Sequence, residues 1–168
     1  MNVIEDVSKI DGVIEKRLTK HLDFRGHLIE TFRIDELPKG INPVMSYVSI
    51  TQPGYWRGPH VHKERTEIFA FPGPGNFRIV LWDNREESET YLKRKILFAG
   101  EDSPVLMIIS PGIIHVIENI SKTKDALLIN YPNTLFKGWG RKEDFVDEVR
   151  YEDDDSLFWE DFIKIKVK

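Results

Sequence analysis

Gly54-Tyr-Trp-Arg-Gly-Pro-His60-Val-His62-Lys-Glu-Arg-Thr-Glu67 carries two histidines and ends on a glutamate, Glu67, within fourteen residues. Side chains of a strand alternate between its faces, so His60 and His62 point to the same side if this stretch is extended. A short bend through residues 63–65 is enough to return Glu67 beside the two histidines. The spacing therefore predicts a polar cluster on one face of a sheet.

A second segment, Pro111-Gly-Ile-Ile-His115-Val-Ile-Glu-Asn119, begins with a Pro-Gly turn and continues as an apolar stretch. In a jelly roll, two such distant strands meet at one mouth, which would bring His115 to the first cluster. Histidines and a carboxylate can bind a divalent metal ion, and histidine also carries protons near neutral pH. Both functions stay open at this point.

Length and composition limit the classes of function. At 168 residues the chain is expected to form a single domain over residues 1–168, with a core at about 10–135 and a C-terminal extension at 136–168. The net charge of −4 is spread along the chain, so no nucleic-acid partner is expected. Cysteine is absent, which excludes disulfides and thiolate chemistry. No apolar run approaches membrane-spanning length and no signal pattern opens the chain, so we expect a cytoplasmic protein with no membrane contact.

Strand patterns dominate the chain, and Gly, Pro, Asn or Asp breaks separate them. An all-β sandwich or barrel with short C-terminal helical segments is therefore predicted. The C-terminal signals are a short helix over residues 142–149 and an ambiguous stretch at 156–162 that follows an acidic turn. The predicted strands cover residues 13–18, 27–33, 45–51, 66–71, 76–82, 90–98, 105–109, 116–117 and 126–131.

The two histidine segments resemble the two cupin motifs, which implies a cupin-type jelly roll. A second resemblance covers most of the chain and is to the dTDP-4-dehydrorhamnose 3,5-epimerase family. It rests on Lys9-Ile-Asp-Gly-Val13, Asp23-Phe-Arg-Gly-His-Leu-Ile-Glu-Thr-Phe-Arg33, Arg57-Gly-Pro-His60, Leu81-Trp-Asp-Asn-Arg85 and Arg150-Tyr-Glu-Asp-Asp154. This family consists of cupin-type enzymes, usually dimers, that act on nucleotide-linked sugars.

The epimerase resemblance implies a role for each matching residue. His60 would remove a proton beside the carbonyl of a 4-keto-6-deoxy sugar, with Asp153 as its partner. Tyr131 would return a proton, and Asp83 is placed with the catalytic residues. Arg25, Glu30 and Arg57 would hold the nucleotide diphosphate part. The resemblance also implies no cofactor, a nucleotide-diphosphate sugar as ligand and a homodimer.

The chain departs from the epimerase pattern at several positions. The family's catalytic lysine falls at or beside Glu67, and Arg78 on the next strand is the candidate replacement. Met45 and Tyr47 stand where the family has a glutamine and an asparagine. His62 better resembles the sugar-nucleotide 3,4-ketoisomerases, which carry Arg-Gly-x-His-x-His.

These departures leave alternatives to an epimerase or ketoisomerase. One is a metal-dependent cupin enzyme that binds Fe, Mn, Ni or Zn through four residues. In that case His60 would be a ligand and could not also be the free base. Another is a non-catalytic sugar-binding cupin. The four predicted ligands are His60, His62, Glu67 and His115.

Overall fold

Two large β-sheets, a small two-stranded sheet and one C-terminal α-helix are present in a computed structural model of the protein, which describes residues 4–144 and 146–167. One sheet has six strands in the order β1-β9-β8-β11-β6-β13, and the other has five in the order β2-β10-β7-β12-β5. The predicted all-β jelly roll is thereby confirmed. The strands are β1 (Glu5–Asp6), β2 (Val13–Arg17), β3 (Lys20–Asp23), β4 (Gly26–Ile29), β5 (Tyr47–Thr51), β6 (Trp56–Val61), β7 (Glu67–Phe71), β8 (Asn76–Asp83), β9 (Lys93–Gly100), β10 (Val105–Ile109), β11 (Ile113–Asn119), β12 (Ala126–Asn130) and β13 (Val149–Arg150).

The main core lies between the two sheets. Alternate residues of β8 and β11, such as Ile79 and Ile117, pack there against Phe69 and Met107 of the opposite sheet. Fully burying one large apolar side chain of this kind stabilises the fold by about 1.5–3 kcal/mol. The cavity described below lies between the same sheets, so this core positions its walls.

The other faces of β8 and β11 are also buried, because helix α1 (Leu157–Lys166) covers them. Val80 and Ile114 pack there against Phe162 of the helix. Both faces of these strands are thus apolar, which explains their nearly continuous apolar sequence. The helix begins at Ser156, whose hydroxyl accepts the Trp159 backbone N–H at 3.1 Å. A C-terminal helical segment was predicted and is confirmed here.

Residues 142–149 do not form the predicted short helix. Residues 142–144 and 146–148 are irregular, and Val149 begins β13; Phe145 lies outside the described residues. Asp147 explains the difference, since its carboxylate accepts the backbone N–H groups of Lys63, Glu64 and Arg65 at 2.8–3.0 Å. These contacts are distant in sequence and override the local helical pattern.

The N-terminal third of the chain covers the outer face of β7 and β10 in the five-stranded sheet. Ile68 and Leu106 of the sheet pack against a cluster that includes Leu18 and Phe32. The hairpin of β3 and β4 forms a separate two-stranded sheet and carries the fully exposed Phe24. Among the described residues, no helix is long and apolar enough to cross a membrane.

Candidate active site

A cavity of about 290 Å³ opens between the two sheets and holds most of the predicted polar cluster. His60 and Arg57 reach it from β6 and the buried pair His62 and Glu67 from the turn into β7. On the six-stranded side, His60 stands opposite His115 of β11 and Arg150 of β13 in the strand register. Directly opposed residues share a face of a sheet, so these three side chains lie side by side.

A glycine makes this close approach of β6 and β11 possible. Gly58 has φ +92°, and a Cβ at this position would lie 2.3 Å from the His115 carbonyl oxygen. Its backbone N–H donates to the Glu152 carboxylate at 2.7 Å. The Arg-Gly-Pro-His sequence therefore allows the backbone to bring His60 beside His115, with ring centroids 4.3 Å apart.

His62 contacts hydrogen-bond acceptors at both ring nitrogens. Its Nδ1 faces the Asp147 carbonyl oxygen, and its Nε2 lies 2.9 Å from a Glu67 carboxylate oxygen. Both nitrogens can donate only in the imidazolium form. Burial alone would lower the pKa of His62, but the hydrogen bond and charge of Glu67 outweigh it and raise that pKa. The two acceptors and the raised pKa therefore both favour the cationic form of this buried histidine.

Glu67 is the anion that balances this cation, and it is almost completely buried. It also contacts the Arg65 guanidinium at 3.2 Å and the Asn130 amide. Burial would raise the pKa of the Glu67 carboxyl, but the His62 hydrogen bond and charge lower it instead. Three donors therefore keep this carboxylate ionised.

His60 has the opposite environment. Burial lowers the pKa of His60 to about 3, and the neighbouring charges of His62 and Arg150 add to the effect. Within residues 4–144 and 146–167, no side chain or backbone group hydrogen-bonds to either ring nitrogen of His60. This histidine is therefore a neutral imidazole that faces the cavity with a free lone pair.

His115 is also neutral, because complete burial lowers its pKa well below the usual value, with His60 and His62 contributing. Its Nδ1 lies 3.2 Å from the Ile113 carbonyl oxygen and donates to it. Its Nε2 is buried without a hydrogen-bond partner among the described residues. An unprotonated, unpartnered nitrogen of this kind is a potential metal ligand.

The predicted four-residue metal set is only partly assembled. Nitrogen atoms of His60, His62 and His115 lie within 4.8 Å of one another, but Glu67 is not part of this group. The Glu67 carboxylate is bound to His62, and His62 has no free lone pair while it donates to both acceptors. Hence His60 and His115 fit a metal as they stand, whereas His62 and Glu67 do not.

The structure separates Asp153 and Tyr131 from the cavity. Asp153 is exposed in a turn with φ +56° and makes no hydrogen bond or ion pair with His60; its neighbour Glu152 lines the cavity instead. Tyr131 follows the inward-facing Asn130, so its side chain points to the outer face of the sheet. There its hydroxyl lies 2.7 Å from the Thr31 hydroxyl. Neither residue is placed for its predicted role.

Arg78 and Asp83 also lie outside the cavity. Arg78 is on the helix-facing side of β8, where it pairs with Glu118 at 2.7 Å. Asp83 is fully buried at the end of β8 and accepts hydrogen bonds from Arg85, Ser88 and Thr90. Their saturated contacts are those of structural ion pairs, which corrects the predicted substrate-binding role of Arg78 and the catalytic role of Asp83.

Arg25 and Glu30 lie at the exposed N-terminal hairpin rather than in the cavity of the same chain. The Arg25 guanidinium donates two hydrogen bonds to one carboxylate oxygen of Asp23, and Glu30 lies 3.6 Å from Arg33. Arg57 does line the cavity, where its guanidinium donates to the Ile50 carbonyl at 2.8 Å. Of the predicted nucleotide-binding residues, the single chain thus places only Arg57 at the site.

Several cavity residues have no place among the predicted site residues: Tyr47, Arg65, Glu148, Arg150 and Glu152. The sequence did indicate the strand face of Tyr47, because strand alternation puts it on one face with Ser49 and on the opposite face from Val48 and Ile50. Polar residues on one face of a strand are typical of a solvent-facing surface, but here they face the cavity. The positions of the other four residues at the cavity depend on contacts between distant segments, so no local sequence pattern indicated them.

Comparisons with known proteins identify relatives in sugar metabolism. No protein-family model matches the chain. The chain is 35% identical over 126 residues to the spore coat polysaccharide biosynthesis protein SpsL of Bacillus subtilis, covering 75% of the chain and 81% of that protein. It is also 35% identical over 128 residues to a probable low-salt glycan biosynthesis epimerase of Haloferax volcanii, covering 76% and 81%.

Solved structures show the same fold. The dTDP-4-dehydrorhamnose 3,5-epimerase from Sulfolobus tokodaii superposes with a TM-score of 0.66 at 23% identity, covering 83% of this chain and 77% of that one. An identity this low supports the shared architecture. The family assignment depends on the two sequence relatives and the fold together.

Proposed function

Because the chain belongs to the dTDP-4-dehydrorhamnose 3,5-epimerase family, as a divergent cupin-type member, we propose that it is an isomerase of nucleotide-linked 4-keto-6-deoxy sugars. The reaction would invert a carbon next to the keto group. The epimerase relative from Haloferax volcanii supports this class of reaction. The observation that carries the proposal is the neutral, unpartnered imidazole of His60 in the cavity.

The proposed reaction begins with removal of a proton from a carbon beside the carbonyl. Such C–H bonds are acidic because the resulting negative charge moves to the carbonyl oxygen as an enolate. A neutral histidine with a free lone pair is suited to act as the base. Since the reaction moves only protons and changes no oxidation state overall, its chemistry needs no cofactor.

The enolate needs positive charge or aimed donors around its oxygen. The family's lysine is absent, but the cavity is lined by Arg57, Arg65, Arg150 and the His62 imidazolium. Glu67, at or beside the lysine position, supports this arrangement because it holds the proton on His62. The His62 cation, which Glu67 keeps protonated, thus takes the role of the family's lysine.

The ligand is proposed to be a nucleotide-diphosphate sugar. Arg57 and Arg150 are exposed at the edge of the cavity, where guanidinium groups can pair with phosphate oxygens. Family membership also supports a homodimer, in which the hairpin with Arg25 reaches the other copy. A solution mass near that of one 19.7 kDa chain would contradict the dimer.

Deuterium exchange tests the proposed function directly. Protein is incubated in heavy water with a dTDP-linked 4-keto-6-deoxyhexose, and ring protons are followed by NMR. We expect deuterium at a carbon beside the keto group, together with a new diastereomer. A no-enzyme control measures spontaneous exchange. Absence of enzyme-dependent exchange on several nucleotide-linked 4-keto sugars would sink the proposal.

A divalent metal site is the second candidate function, and the orphaned Nε2 of His115 beside His60 favours it. Of the predicted metals Fe, Mn, Ni and Zn, imidazole ligands suit Fe, Ni and Zn. Elemental analysis of protein purified without chelators tests this candidate. About one equivalent per chain, lost in His115→Gln, would support it. Content well below one equivalent that added ions do not restore would reject it.

A further inference from the structure

Tyr47 is a tyrosine in the cavity that no part of the proposed reaction has used. It begins β5, in the five-stranded sheet, and it lines the same cavity as His60. Val48 and Ile50 point away from the cavity and are more than half exposed. The side chain of Tyr47 is therefore directed toward bound substrate by the strand that carries it.

The hydroxyl of Tyr47 is held in a defined orientation by Asn130. The Asn130 amide nitrogen contacts both the Tyr47 oxygen, at 2.7 Å, and the Glu67 carboxylate. The ionised Glu67 can accept only from the NH₂ side of the amide, which fixes the orientation of Asn130. Tyr47 consequently accepts one N–H at its oxygen, and its own hydrogen stays available to another acceptor.

Tyr47 and His60 belong to different sheets. Strand β5 is in the five-stranded sheet and β6 in the six-stranded sheet, and the cavity lies between them. A sugar ring bound there would have His60 on one face and Tyr47 on the other. Inversion at carbon requires this arrangement, since the proton must leave from one face and return to the opposite one.

Tyr131 offers a contrast within the same sheet. Its ring packs against Phe32 with centroids 4.5 Å apart, and its hydroxyl bonds to Thr31, both on the outer face. Reaching the cavity would require β12 to shift by one residue, which would also move Asn130 away from Glu67. The cavity-facing tyrosine of this chain is therefore supplied by β5.

We propose that Tyr47 is the catalytic acid that returns the proton to the sugar carbon on the face opposite His60, a role that rests on the proposed isomerase function. His60 takes the proton as the C–H bond breaks, and the electron pair forms the enolate. The Tyr47 O–H bond then breaks as the new C–H bond forms. Water finally reprotonates the tyrosinate and takes the proton from His60, so the balance is a proton exchanged with solvent.

The surroundings of Tyr47 suit a donor that must be protonated at the start of the reaction. Burial of the hydroxyl raises the pKa of Tyr47, and the negative charge of Glu67 raises it further. The transient tyrosinate would be stabilised by the Asn130 N–H and by the positive charge of Arg65 at the cavity wall. Both groups act on the oxygen that loses the proton.

The test compares Tyr47→Phe with Tyr131→Phe in heavy water. Each variant loses one hydroxyl, so the two are matched in size and chemistry. Inversion and deuterium uptake at the same carbon are measured together on the dTDP-linked 4-keto-6-deoxyhexose. We expect Tyr47→Phe to lose inversion by about 10²-fold or more, the contribution of a general acid. It should retain deuterium uptake without inversion, because His60 can still remove and return a proton on its own face.

A merely structural Tyr47 would lower exchange and inversion in equal proportion, and that result would overturn the proposal. Near-normal inversion by Tyr47→Phe, or loss of inversion in Tyr131→Phe, would also overturn it. Wild-type protein that neither exchanges nor inverts would instead remove the isomerase function itself, and the acid role with it. Thermal unfolding of each variant shows that the measured protein is folded.

Discussion

Replacing His60 with asparagine is expected to lower kcat/KM for the isomerisation by about 10³-fold, because a positioned general base contributes about 10²–10⁴-fold. Asparagine has no basic nitrogen, so deuterium uptake should fall with turnover. The protein should remain folded, since the ring of His60 makes no hydrogen bond in the described part of the chain and the substitution leaves its backbone pairing in β6 intact. The loss of deuterium uptake is measured by NMR, and the stability of the variant is measured by thermal unfolding.

His21→Asn provides the matched control for this prediction. His21 is an exposed histidine on β3 that does not line the cavity of its own chain, and its replacement should leave proton removal from bound sugar unchanged. If His60→Asn kept a tenth or more of wild-type exchange, another group would have to remove the proton. A parallel loss of bound metal in His60→Asn would favour the metal-site candidate over the base.

The second large effect concerns the buried pair of His62 and Glu67. Glu67→Gln should destabilise the protein by about 3 kcal/mol, since removing one partner of a buried ion pair leaves an uncompensated charge. Turnover of the folded variant should fall by about 10²-fold, because the cation near the developing enolate is lost with the carboxylate. Urea unfolding and initial rates measure the two effects separately.

The pH dependence of the pair has a definite sign. Glu67 raises the folded-state pKa of His62, so the stabilisation from His62 is complete below its unfolded pKa of 6.5 and is lost as pH rises through the folded value. The folded pKa of Glu67 is lowered, so its own contribution is present above 4.5 and is lost as pH falls through the folded value. The alkaline loss should disappear in Glu67→Gln.

Glu64→Gln is the control for the buried pair. Glu64 is an exposed glutamate three residues earlier in the same turn, and neutralising it should change stability by less than about 0.5 kcal/mol. If Glu67→Gln were as stable as the wild type, or if it lost stability at alkaline pH just as the wild type does, His62 would be neutral in the folded protein. In that case His62 would regain a lone pair and fit the metal set.

The sequence was sufficient to predict the fold because its strands are strongly patterned and separated by breakers. Strand alternation also predicted that His60 and His62 share a face, and the second motif brought His115 to them. What alternation could not supply was the hydrogen-bonding state of each histidine. For His62 that state depends on Asp147, which is distant in sequence and lies on an irregular segment.

The residue roles that came from family resemblance were less transferable than the fold. Tyr131 is one residue out of phase with the cavity, and in a strand one residue reverses the direction of a side chain. Arg78 lies on the face of β8 that helix α1 covers, where the Glu118 carboxylate neutralises its charge. Asp153 occupies a turn with a left-handed backbone, and Glu152 points to the cavity instead.

Asp147 limits how short a fragment of this protein can be and still contain the complete site. Its carboxylate clamps the turn at residues 63–65, and its carbonyl holds one nitrogen of His62. A sandwich cut at residue 135 would keep every histidine of the motifs and still lose the carbonyl that accepts from His62 Nδ1. Asp147 is thus a structural part of the site, and any transplant of this site onto another cupin must carry both the sandwich and the segment that holds Asp147.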